Sequence, residues 1–148
     1  MNKPTRKLDF DYNVENINNT PLSEFWSWAL SETRDNTARG MYAEYLVAKA
    51  LGLENKPRKE WTSYDLEYDG KGIEVKASAY LQNWVQKDKN GNERKSKIKF
   101  NIPKTSYNNE QTGRYESEKK RHADCYVFCL YKQENRDEFD QDDVLDVT

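Results

Sequence analysis

Residues 63–78 read Ser-Tyr-Asp-Leu-Glu-Tyr-Asp-Gly-Lys-Gly-Ile-Glu-Val-Lys-Ala-Ser, and this stretch constrains the fold more than any other. It has the pattern of two short strands joined by a tight turn. Asp69-Gly70-Lys71-Gly72 is turn chemistry, because glycine takes positive φ without a Cβ clash. Alternation assigns the faces: Leu66, Tyr68, Ile73 and Val75 on one side, Asp65, Glu67, Glu74 and Lys76 on the other. The expected register sets Tyr68 opposite Ile73, Glu67 opposite Glu74 and Asp65 opposite Lys76. A slip of one residue would push Glu74 onto the apolar face, so the pattern excludes it. Carboxylates and an ammonium are thereby gathered on one rigid surface. Clustered carboxylates repel unless a cation sits between them. One or two oxygen ligands, with room for water and phosphate, are how Mg²⁺ is usually held.

The chain of 148 residues fits one domain. Only 35% of it is apolar and 34% is charged, so the core must be compact, with ten tyrosines and four tryptophans supplying bulk. The net charge of −2 does not by itself point to nucleic acid. Its distribution is more telling. Residues 87–104 hold seven bases (among them Lys97, Lys99 and Lys104) against two acids, and residues 134–146 hold seven acids against Arg136. A basic stretch beside an acidic tail can form a phosphate-binding face; the alternative is a solvated loop and a disordered tail. There is no apolar run long enough for a membrane span and no signal peptide, so a cytoplasmic protein without a membrane partner is expected. Cys125 and Cys129 share one strand, roughly 13 Å apart, and cannot bridge; they fit reduced core cysteines.

Residues 1–19 read as a polar arm, 20–133 as the folded domain and 134–148 as an acidic segment. Thr20-Pro21 suggests a helix N-cap and first turn, with Phe25, Trp26, Ala29 and Leu30 following. Asp35, Asn36 and Thr37 offer the next cap. A second helix is expected over residues 38–51, ending at Gly52, with Ala43, Val47, Ala50 and Leu51 as its stripe and Glu44 at the stripe's edge. A carboxylate there needs a partner. Residues 80–84 read as a strand end or link, and Asn90-Gly91-Asn92 as a turn. Ile98, Phe100 and Ile102 alternate as a third strand, residues 106–118 as a loop or weak helix, and residues 124–131 as a central strand buried on both faces. Residues 144–148 could begin a further strand. The fold class is α/β (α+β), a mixed β-sheet flanked by helices in the order α-β-β-β-(α)-β.

Asp65, followed after eight residues by Glu74-Val75-Lys76 on an apolar strand, resembles the signature of the PD-(D/E)XK nuclease superfamily. A helix carrying an acid precedes it, as in that family; Tyr64 stands where the family name has proline. The resemblance implies a restriction-endonuclease-like core, which would hold one more helix and strand than this sequence shows and so suggests a minimal or truncated domain. It also implies Mg²⁺ or Mn²⁺ held by Asp65, Glu74 and the Val75 carbonyl. Lys76 would then orient or help deprotonate the attacking water, and Glu44 would orient water or assist a second ion. Gln82, with Lys97, Lys99 and Lys104, would position phosphate.

Plainer roles exist for each residue. Asp65 and Lys76 could be a cross-strand ion pair worth ~0.2–1 kcal/mol. Glu44 could pair with Arg39 or Lys49, Glu67 could be a solvated strand residue, and Tyr80 and Trp84 could be core aromatics. His122, the sole histidine, reads as a surface residue. The function these residues point to is a metal-dependent nuclease acting on DNA, in a restriction, repair or mobile-element setting. A homodimer or a partner subunit would supply specificity. The alternative is a non-catalytic nucleic-acid- or protein-binding module that keeps the fold. A structural protein with an acidic interaction tail would explain residues 134–146 and little else.

Overall fold

The computed structural model of the protein describes residues 7, 13–14, 20–60, 62–106, 108–109, 114–115 and 117–138. In chain order the elements are β1 (Asn13–Val14), β2 (Thr20–Pro21), α1 (Leu22–Leu30), α2 (Asn36–Ala50), β3 (Leu66–Tyr68), β4 (Lys71–Ala79), β5 (Asn108–Asn109), β6 (Arg114–Tyr115) and β7 (Cys125–Tyr131). This is a small α+β protein, built on a three-stranded mixed sheet in the order β3-β4-β7. The β3–β4 pair is antiparallel and the β4–β7 pair parallel. Two further pairs, β1–β2 and β5–β6, are two-residue antiparallel contacts.

Helix α2 has clear start and stop signals. The Asp35 carboxylate accepts the Thr37 and Ala38 backbone N–H groups at 2.8 and 3.3 Å, satisfying two donors that a helix leaves orphaned. At the far end Gly52 adopts φ +70°. Its N–H donates to the Lys49 carbonyl and that of Leu53 to the Ala48 carbonyl, the paired bonds that close a helix through a left-handed residue. Ala38, Ala43 and Ala48 are buried, and their small side chains let the helix lie close to the sheet. Ala43 meets Ile73 and Val75, with Val47, Leu51, Leu66, Ala77, Val127 and Cys129 packed around them. Burial of an Ile or Val side chain contributes about 1.5–3 kcal/mol, so this small cluster is what fixes the sheet against α2.

Several sequence expectations are corrected. Pro21, not Thr20, occupies the cap position of α1, and Thr20 pairs with Val14 in a strand. None of the residues of α1 is buried, and Phe25 and Trp28 are exposed. Among the described residues the expected third strand at 98–102 forms no ladder: its residues alternate between exposed and half-buried, and the nearby bridge is that of Thr105 to Lys120. Alternation reports a surface half in contact with apolar groups, and that is possible without a paired neighbour. Residues 108–109 and 114–115 are strand, so the weak helix expected around them is not formed there. β7 lies at the sheet's edge beside β4, with Cys125 and Phe128 exposed, so β4 is the central strand. Cys125 is therefore not a core cysteine, while Cys129 is half-buried and burial pushes its thiol pKa up. Most of the expected arm at 1–19 and the strand expected at 144–148 lie outside the described residues. No helix among the described residues is long and apolar enough to cross a membrane.

Candidate functional site

The hairpin turn is tighter than the sequence suggests. Asp69 at φ +49° and Gly70 at φ +70° form a two-residue loop, since aspartate tolerates the left-handed region better than most residues do. Tyr68 therefore pairs with Lys71, Glu67 with Gly72 and Leu66 with Ile73. The register departs from the expected one by two residues. An even shift leaves every side chain on its face but changes its partner. Asp65 precedes the paired residues of β3; its N–H donates to the Ile73 carbonyl at 3.0 Å and its carboxylate accepts from Val75, so its bonds run to the residues on either side of Glu74 and not to Lys76. Gly72 is needed at its own position: a Cβ there would lie 2.5 Å from a ring carbon of Tyr64. The Tyr64 hydroxyl in turn donates to Glu67 at 2.7 Å.

The Asp65 carboxylate turns in at the end of β3, where its Oδ2 accepts the Val75 N–H at 2.7 Å. In β4 the backbone of Ile73 and Val75 points toward β3, while Gly72 bonds to Asp124 on the other side. Val75 lies beyond the last β3–β4 pair, so its carbonyl is directed into the same space that Asp65 enters. The Lys76 ammonium pairs with Glu74 Oε1. Asp65 is partly buried, and that burial pushes its carboxyl pKa up. The Val75 N–H opposes the shift; the nearby Glu74 and Glu44 carboxylates add to it and Lys76 counters them. Glu74, Glu44 and Lys76 thus all lie close enough to Asp65 to act on its charge.

Glu44 is buried on α2, as its place at the edge of the apolar stripe requires. Its partner is neither Arg39 nor Lys49 but Arg58, which donates from Nε at 2.5 Å and from Nη2 at 2.8 Å. Arg58 also reaches Glu60. Arg39 instead bonds Asn36, the Arg34 carbonyl and Gln82. The signal for Arg58 was present as Lys56-Pro57-Arg58-Lys59, a basic run in a loop, but nothing in a loop's sequence says which helix face it returns to. A groove of about 530 Å³ separates this loop from α2; Glu44, Arg58, Tyr64 and Asp65 line it, together with Lys56 and Lys59. Glu74 and Lys76 do not line it, so Asp65 stands between the groove and the sheet face that carries them.

The remaining candidates are not drawn into this cluster. Gln82 is buried in an internal network, donating to Ser96 at 3.0 Å and the Ala79 carbonyl at 3.3 Å and accepting from Arg39. Lys97, Lys99 and Lys104 are exposed on the segment after it. His122 contacts the Thr105 carbonyl, Tyr80 is half-buried, and Trp84 is exposed and so not a core aromatic.

No group of three or more His, Cys, Asp or Glu side chains among the described residues is arranged as a metal cluster. A Mg²⁺ site does not need one, since one or two carboxylates with waters and a phosphate suffice. Asp65, Glu74 and the Val75 carbonyl are all hard oxygen donors. Glu44 and Glu74 have Arg58 and Lys76 as charge partners, whereas among the described residues the Asp65 carboxylate has a backbone N–H alone as its bonded partner. The donor set fits a divalent ion. Neither family models nor curated proteins nor solved structures match this chain.

The raised Asp65 pKa has a consequence for stability. Its native value lies above the unfolded one, so the native state holds the proton more tightly. No penalty exists below the unfolded pKa of ~3.9; it grows as pH rises through the native value and is complete at neutral pH. Asp65→Asn keeps an oxygen for the Val75 N–H and removes the charge. In chelator at neutral pH this variant should melt a few degrees higher than wild type, and the gain should vanish in acid. Scanning calorimetry across pH checks it, and a lower Tm at neutral pH would contradict it.

Proposed function

We propose that the chain is a metal-dependent nuclease hydrolysing phosphodiester bonds, with DNA as substrate. The observation that carries this reading is the bond from the Val75 N–H to the Asp65 carboxylate, which ties Asp65 to the stretch of β4 that carries Glu74 and Lys76 on one face. Asp65, Glu74 and the Val75 carbonyl would hold Mg²⁺ or Mn²⁺. When bound, such an ion lowers the pKa of a water and stabilises charge on phosphoryl oxygens. Asp65 is fixed through Oδ2 by the Val75 N–H, and its Oδ1 would be the oxygen offered to the ion. Lys76 brings a positive charge to the reacting phosphate and, relaxed from Glu74, would orient the attacking water by donating to its oxygen. Glu44, clamped by Arg58, contributes a fixed negative charge on the groove side. The parallel pairing of β4 with β7 over seven residues makes the strand that carries Glu74 and Lys76 rigid.

The test is Mn²⁺-dependent cleavage of a mixed DNA substrate, with Mn²⁺ binding followed by calorimetry. Asp65→Ala and Glu74→Ala should each abolish binding and cleavage together, and chelation should abolish wild-type cleavage. Undiminished Mn²⁺ binding by both variants would refute the site.

One observation favours a second reading, a non-catalytic nucleic-acid- or protein-binding module. Arg58 on Glu44 and Lys76 on Glu74 already neutralise two of the carboxylates, as a purely structural charge cluster would. A wild-type chain that binds DNA but takes up no Mn²⁺ would select this reading.

A further inference from the structure

The sheet face that carries Glu74 and Lys76 is also lined with aromatic rings. In the parallel ladder Glu74 pairs with Tyr126 and Lys76 with Phe128, so each ring is the immediate neighbour of a candidate site residue. Phe128 is 49% exposed, unusual for a phenylalanine on a sheet. Phe100 lies against it, with ring centroids 4.7 Å apart and planes tilted by 35°. That contact holds residues 97–104 over this face, with Lys97, Lys99 and Lys104 exposed along the segment. The Thr105–Lys120 bridge and the Arg121 Nε bond to the Ile102 carbonyl, at 3.0 Å, add a second basic run to the first. Lys97, Lys99, Lys104 and Lys119 form no ion pair among the described residues.

We infer that this face binds an unpaired DNA strand: a base stacks on Phe128 beside Lys76, and the phosphates follow the lysines of residues 97–104. The inference rests on the nuclease reading and adds the substrate class to it. Two features of this face select the occupant. Unpaired lysines around an exposed ring complement a polyanion that also offers flat apolar faces. The ring also adjoins the residue proposed to act on the phosphate, so stacking would place the backbone of that nucleotide at the site. Continuous duplex cannot make this contact, because its base faces are stacked on one another. An overhang, a loop or a displaced strand can.

The test measures binding by fluorescence anisotropy in chelator, using the full chain, a labelled mixed-sequence single strand and the blunt duplex of equal length. Single strand should bind at least about tenfold tighter than duplex. Phe128→Ala and Phe128→Leu should each weaken single-strand binding by about tenfold and leave duplex binding unchanged, while Phe128→Trp keeps it. Equal affinity for the two DNAs, or an unchanged single-strand affinity in Phe128→Leu, would overturn the inference and leave the nuclease reading standing. Binding to neither DNA would overturn both. A wild-type dimer in sedimentation that Phe128→Ala dissociates would assign the ring to a second copy of the chain and overturn the inference.

Discussion

Lys76→Ala is expected to bind Mn²⁺ as wild type does and to lose about 10²–10⁴-fold of the cleavage rate, the usual contribution of a positioned acid–base group. The separation follows from chemistry. An ammonium has no lone pair to offer a metal, so its removal leaves Asp65, Glu74 and the Val75 carbonyl in place. The ion pair with Glu74 is partly exposed, with the lysine side chain 36% accessible. Its loss should therefore cost stability little, on the order of 0.2–1 kcal/mol, so a rate effect cannot be blamed on unfolding. Calorimetry with Mn²⁺ and single-turnover cleavage together read the two arms. Full activity in Lys76→Ala would make Lys76 an ordinary ion-pair partner and return the cluster to a structural role.

The largest expected stability effect lies at Arg58. Glu44 is nearly buried, its side chain 11% accessible, and both its oxygens accept from Arg58. Arg58→Ala leaves that carboxylate buried without its partner. Breaking a fully buried pair costs about 3–5 kcal/mol. Arg58 is itself 38% accessible, and water can reach the vacated space, so a loss of about 1–3 kcal/mol is expected. Arg58→Lys should recover only part of it, because an ammonium cannot make the two parallel bonds of a guanidinium. Adding Glu44→Gln to Arg58→Ala should restore most of the stability, since the stranded charge is then gone. Denaturant unfolding of wild type, Arg58→Ala, Glu44→Gln and the double variant forms the cycle. An Arg58→Ala chain as stable as wild type would show that Glu44 is well solvated and not held by Arg58.

These two experiments address different contacts. Lys76 and Glu74 are two residues apart on one strand, and alternation alone sets them on one face. Glu44 and Arg58 meet only because a loop turns back over α2. Local pattern therefore set Glu74 and Lys76 on one face, although the ion pair it suggested for Lys76 was with Asp65, and it did not reach the second pair.

The sequence by itself determined the elements whose signals are local. Asp35 and Gly52 bounded α2, because cap bonds and a left-handed glycine involve only neighbouring residues. Period-two alternation placed Ile73 and Val75 toward the core and Glu74 and Lys76 away from it. Those assignments survived the two-residue change of register, since only an odd shift reverses faces. Tertiary structure decided everything that depends on which distant segment comes near. It tied the Asp65 carboxylate to the Val75 N–H, in a hairpin whose turn holds a non-glycine at positive φ. It gave Glu44 to Arg58, and it left residues 98–102 unpaired although they alternate. It also moved the apolar run at Cys125–Tyr131 to the sheet's edge, exposing Phe128. A run of apolar residues states how much surface wants burial. How many neighbours the sheet supplies to bury it is settled by the rest of the chain, which the run does not encode.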